Sequence, residues 1–143
     1  MDTQSHFLGT HTFTRAQEYH QPSGIRLAAF LVILRQEIAV AFRTQQPVQL
    51  LRQYVQVGKS LKQTDDWALA FHVIVLCAEV LTYCYGDTPK TPDAWDNLAS
   101  RSRTWFETKP PSFDPLHCRP GRTEATVFPE IWLLNDCHGM ILY

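Results

Sequence analysis

Two segments, residues 23–45 and 65–85, are apolar on nearly every side of a helix, and they limit what this chain can fold into. In the first, Leu27, Phe30, Leu31, Leu34, Ile38, Ala41 and Phe42 recur at helical spacing. Ile25, Ala28, Ala29, Val32 and Val40 make the other side largely apolar too. Strong polarity comes only from Arg26, Arg35, Gln36, Glu37 and Arg43. Ser23 reads as the N-cap and Pro47 as the stop. A helix apolar almost all round is expected to be buried and central. In the second segment, Thr64, Asp65 and Asp66 supply a cap and first-turn negative charge, and Gly86 is a natural end.

Apolar runs of this kind also raise the question of a membrane. Residues 27–34 form an unbroken apolar run, and residues 67–85 a longer one interrupted by His72 and Glu79. A span needs about 20 predominantly apolar residues, and charges within it are costly. Core helices of a soluble domain are the better expectation, with no membrane partner.

A third helix starts at Thr91, Pro92 and Asp93, with Thr as cap and Pro at the first position. Trp95, Leu98, Ala99, Ser102, Trp105 and Phe106 line one side, and Asp96, Arg101, Arg103 and Glu107 the other. Arg103 and Glu107 stand at i, i+4 spacing. Two Trp on one helix could stack bases, but the mixed charge around them favours a core role. Residues 48–57 suit a short helix or a strand. Residues 110–127, rich in Pro, read as a loop. Phe128, Pro129, Glu130, Ile131 and Trp132 then open a last helix, its apolar pattern still running at Tyr143. No strand-period alternation stands out. The expectation is an all-α fold of about four to five helices, with an irregular segment over residues 1–22.

Composition narrows the function. The chain has 143 residues, 45% hydrophobic and 19% charged, which excludes a disordered tail and fits one domain. A net charge of -1 lacks the basic excess of a nucleic-acid module, so no direct nucleic-acid binding is expected. The four cysteines, Cys77, Cys84, Cys118 and Cys137, form no C-x-x-C pair and follow no apolar leader. A reducing compartment and no metal site are expected, although His117-Cys118 and Cys137-His138 could each offer ligands.

Two further features invite a chemical reading. Gly58, Lys59 and Ser60 look like the end of a phosphate loop, but that loop needs a glycine where Gln53 stands. An ordinary turn is the better expectation. On a helical wheel Asp65, His72, Glu79 and Tyr83 share one narrow stripe. His72 and Glu79 could form a general acid/base pair of a small helical enzyme or ligand binder. A packed helix with one polar seam is the commoner outcome, so no catalytic, cofactor-binding or metal residue is assigned.

Three blocks carry a family resemblance. The first runs Ser23, Gly24, Ile25, Arg26, Leu27, Ala28, Ala29, Phe30, then Leu34, Arg35, Gln36, Glu37, Ile38, then Ala41, Phe42. The second is Asp65, Asp66, Trp67, Ala68, followed by the helix to Cys84, Tyr85 and Gly86. The third is Phe128, Pro129, Glu130, Ile131, Trp132, Leu133, Leu134. Together they resemble the regulatory middle region of fungal zinc-cluster transcription factors, in the subgroup called ARCA-like. The resemblance implies a partial helical regulatory domain over residues 23–143. It implies a non-enzymatic role in regulating RNA polymerase II transcription, and a nuclear location. Zinc in that family belongs to an N-terminal cluster of six cysteines, which nothing in this chain matches. The chain is therefore expected to be a piece lacking the DNA-binding domain, with an exposed apolar patch and a tendency to self-associate or to bind protein partners. An effector ligand is not specified.

Overall fold

A computed structural model describes residues 25–61, 65–121, 129–135 and Cys137. Among them the fold is all-α apart from one small hairpin. The helices are α1 (Ile25–Thr44), α2 (Leu51–Ser60), α3 (Asp66–Tyr85) and α4 (Pro92–Thr108). A 3-10 turn follows at Pro111–Phe113. Two strands, β1 (His117–Arg119) and β2 (Glu130–Trp132), pair antiparallel.

The helix starts follow from local chemistry. Asp65 sits in extended backbone and its carboxylate accepts the Trp67 N–H, which caps α3. Thr91 does the same for α4 by accepting the Ala94 N–H, and Pro92 takes the first helical position. The expected cap Ser23 lies outside the described residues. At the other end of α1, Gln45 adopts a left-handed φ of 55° and the Gln46 N–H donates to Ala41 O. That wrap-around bond ends the helix at Thr44, three residues before Pro47. Gly86 closes α3 in extended backbone, not in the left-handed form expected of a C-terminal glycine. Its own requirement is space, because a Cβ there would lie 2.5 Å from Thr82 O.

α3 is the packing centre. Phe71, Ile74, Val75, Ala78 and Leu81 on it join Leu31, Leu34 and Ala41 of α1 and Tyr54 and Val57 of α2 in the main core. Phe30 meets Tyr54 edge-on at 6.2 Å between ring centroids. A second cluster forms on the other side of α3, where Ala70, Phe113 and Cys137 are buried against Leu69 and Trp105. Trp105 and Phe113 meet edge-on at 5.6 Å, and Trp105 Nε1 donates to Leu69 O at 3.2 Å.

α1 is less central than its composition implies. One face is buried through Leu31, Leu34, Glu37 and Ala41, while Val32 is 56% and Phe42 68% exposed. The core accepts one stripe of this helix. Leu27, Phe30, Ile33 and Ile38 pack part-buried at its margins, while Val32 and Phe42 face outward, so the expectation of a helix buried on all sides is corrected. Residues 48–57, ambiguous in sequence, are helical from Leu51. The expected helix from Pro129 is also corrected, because Glu130–Trp132 is a strand. The rest of that expected helix, apart from residues 133–135 and Cys137, lies outside the described residues. Ile131 and Trp132 favour a pleated surface, and their pairing with β1 replaces the helix that a first-turn proline would allow.

The one acidic residue of α1, Glu37, is buried at 3% exposure. Its Oε1 accepts the Gln49 N–H at 2.9 Å and the Leu50 N–H at 3.1 Å. Leu50 precedes α2 and offers no side-chain cap of its own, so a carboxylate from α1 occupies the positive end of α2. The next amide back, Val48 N–H, donates to Thr82 Oγ1 of α3 at 3.3 Å. The turn between α1 and α2 is thus held by side chains of α1 and α3. Tyr54, fully buried, lies close enough to feel the Glu37 charge, yet neither Tyr54 Oη nor Glu37 Oε2 completes a hydrogen bond.

Burial first, and then the Glu37 charge, push the Tyr54 phenol far above its ordinary range. Above about pH 10 the unfolded chain releases this proton while the folded chain keeps it, so stability falls as pH rises. The slope for one group is roughly 1.4 kcal/mol per pH unit. Tyr54→Phe removes that loss together with an unpartnered hydroxyl. Urea denaturation should find the variant as stable as the parent near pH 8, or up to about 1 kcal/mol more so, with the advantage widening above about pH 10. A variant clearly weaker at both pH values contradicts the description of this hydroxyl.

Candidate functional site

The polar stripe of α3 is the place to test the acid/base reading, because it carries His72 and Glu79 on an otherwise largely apolar helix. Each of its members is committed to a structural bond. Asp65 caps the helix, as described. His72 is half-buried and its Nδ1 lies 2.5 Å from Ala68 O, one turn back on the same helix. A carbonyl oxygen can only accept, so Nδ1 donates in this bond. Glu79 Oε2 accepts from the Arg101 guanidinium of α4 at 2.5 Å. Tyr83 Oη donates to Thr91 O at 3.1 Å, and its ring lies 6.0 Å from that of Trp95.

The stripe therefore divides along its length. Its C-terminal half, Glu79 and Tyr83, docks α4 through one charged and one neutral hydrogen bond. Its N-terminal half, His72, turns toward α2, where its ring lies near Gly58. Seven residues of helix separate His72 from Glu79, about 10 Å along the axis. The pair does not converge on a shared point. The partner of Arg101 was not readable from the i, i+4 pattern on α4, because Glu79 lies 22 residues away in sequence. Arg103 and Glu107, the pair suggested by spacing, are both exposed.

The phosphate-loop fragment has a different fate from a turn. Gly58, Lys59 and Ser60 form the last residues of α2, with Gly58 buried against Phe71. Ser60 Oγ donates to Val57 O at 2.7 Å. A phosphate cradle requires several backbone N–H groups turned outward, and here they belong to a helix C-terminus, where the dipole is negative.

The four cysteines are free thiols. Cys77, Cys84 and Cys118 are exposed, while Cys137 is buried in the second cluster. Although part of Cys77 reaches solvent, desolvation by its apolar surroundings pushes its thiol up, away from the reactive thiolate. His117 and Cys118 lie on β1, where the His117 ring faces Trp132 across the hairpin at 5.5 Å. His138 lies outside the described residues. Among the described residues no three His, Cys, Asp or Glu side chains are grouped to hold a metal ion.

α3 is also long and apolar enough to cross a membrane, by length and composition. In this fold eight of its residues, from Ala68 to Leu81, are buried against the other elements. Comparison of the chain with known protein families, with characterised proteins and with solved structures finds no match.

Gly58 offers a direct check on the phosphate-loop reading. A Cβ there would meet Phe71 at 3.5 Å and His72 at 3.8 Å, ordinary contact distances, inside a helix where Ala is preferred. Gly58→Ala should leave the fold intact and raise its stability by about 0.5–1 kcal/mol in urea denaturation. Marked destabilisation, or loss of nucleotide binding by an otherwise stable variant, contradicts the helical assignment of this glycine.

Proposed function

We propose that this chain is a non-enzymatic regulatory module, similar to the middle region of a fungal zinc-cluster transcription factor, acting in RNA polymerase II transcription in the nucleus. The reading rests on the three sequence blocks, and one structural observation supports it. The first two blocks fall on residues that hold helices together. Glu37, in the first, occupies the start of α2, and Asp65, in the second, caps α3. A resemblance concentrated on scaffold positions is what a shared helical framework leaves behind. The third block departs from it, since Glu130–Trp132 is a strand.

In this reading zinc belongs to a separate DNA-binding cluster and not to this chain. The chain acts through contacts with proteins, and no membrane or nucleic-acid surface is assigned to it. The alternative, a small enzyme or ligand binder using His72 and Glu79, has less support. Both side chains are engaged in bonds within the fold, and they face different helices.

The test places the chain between a heterologous DNA-binding domain and an activation segment upstream of a reporter gene. Reporter output should differ several-fold from that of an inert spacer of the same length. A substitution that unfolds the core, Phe71→Asp, should return output to the spacer level. Equal output from chain and spacer, with the fused protein present at equal amounts, contradicts the proposal.

A further inference from the structure

The outward face of α1 has a composition that selects its partner. At 100° per residue, Ala28, Val32, Arg35, Gln36, Ala39, Phe42 and Arg43 fall on one side of the helix. All seven are exposed. The helix has one carboxylate, Glu37, and it is turned into the core to hold α2. What remains outside is an apolar stripe, Ala28–Val32–Ala39–Phe42, with positive charge from Arg35 and Arg43. Among the described residues neither arginine is paired with a carboxylate.

We infer that this face docks an amphipathic helix of a partner protein whose apolar stripe is flanked by carboxylates. Three features argue for that occupant. Ala39 lets another helix approach closely between Val32 and Phe42, which stand about 15 Å, nearly three turns, apart, and Ala28 does the same one turn before Val32. Arg35 and Arg43, two turns apart, present forked donors suited to carboxylates on the facing helix. A second copy of the chain is disfavoured by the same charges. An antiparallel pairing about Ala39 brings Arg35 of one chain beside Arg43 of the other, and a parallel pairing brings each arginine beside itself. An anionic membrane is a poorer match, because the face offers one aromatic side chain and two cations, too little to anchor a helix in the interface.

The area available on one helix face puts the contact in the small, transient class, with a dissociation constant in the range of roughly 1–100 μM. The inference goes beyond the proposed regulatory role and rests on α1 alone, so binding and reporter output can fail separately.

The experiment titrates the full chain into a fluorescein-labelled synthetic peptide of about 20 residues. The peptide carries Leu at i, i+3, i+4 and i+7 and Glu on both flanks, and binding is read by anisotropy. A second peptide has Lys in place of every Glu. The Glu peptide should bind saturably and the Lys peptide at least about tenfold more weakly. Phe42→Ala should weaken the Glu peptide by about fivefold or more. The Arg35→Glu/Arg43→Glu double variant should reverse the preference between the two peptides, with Arg35→Glu alone giving an intermediate result. All three altered side chains are exposed, and circular dichroism confirms that each variant stays helical. Equal binding of both peptides, insensitivity to Phe42→Ala, or no saturable binding overturns the inference. So does sedimentation to phosphatidylserine vesicles, or dimerisation of the chain, that is lost in Phe42→Ala while the Glu peptide fails to bind.

Discussion

A single buried carboxylate ties the first half of this molecule together. Glu37 leaves α1 on its inner face and accepts the Gln49 and Leu50 amides at the start of α2. A buried ionised group is costly unless hydrogen bonds compensate it, and the start of a helix supplies both N–H donors and positive potential. The bond fixes the direction in which the chain leaves α1. It sets α2 against α3 so that Tyr54 and Val57 enter the core. Glu37 is the single carboxylate of α1, and its place on the inner face leaves the outer face with none. Packing and surface charge thus follow from the same side chain.

The second half depends on the polar seam of α3. Glu79 and Tyr83 meet Arg101, Thr91 and Trp95 of α4. Nearly three turns further toward the start of α3, the Trp105 indole donates to Leu69 O and packs with Phe113 and Cys137 in the second cluster. Residues that read as candidates for chemistry therefore orient a helix. Exposed ion pairs contribute little by themselves, and Arg101 remains exposed. The seam works because the pair, the tyrosine bond and the tryptophan contact act along the same helix face.

Much of this was legible in the sequence, and the reasons differ by element. α3 and α4 announce themselves through Asp65 and through Thr91-Pro92, because caps act within three residues and need no tertiary partner. α1 was readable as a helix but not as a half-exposed one. Its periodicity shows which residues can be buried, and only the positions of α2 and α3 decide which are. The role of Glu37 was hidden for a related reason, since its partners lie 12 and 13 residues away across a turn. The hairpin was missed because three residues per strand are too few to show alternation. In β2 a proline that can start a helix instead precedes an edge strand. At the candidate site, sequence placed Asp65, His72, Glu79 and Tyr83 on one stripe, and they do lie along one helix. That His72 and Glu79 face different helices depends on where α2 and α4 pack, which no wheel contains.

The central claim is that the Glu37 carboxylate holds the start of α2, and amide hydrogen exchange followed by NMR tests it directly. In the parent chain the Gln49 and Leu50 amides should be protected to about the same degree as the interior of α2, even though no backbone carbonyl of a regular helix accepts them. In Glu37→Ala those two amides should lose protection, α2 should exchange faster as a unit, and global stability should fall by about 1–3 kcal/mol. Fast exchange of Gln49 and Leu50 in the parent chain, or unchanged protection of α2 in Glu37→Ala, contradicts the account.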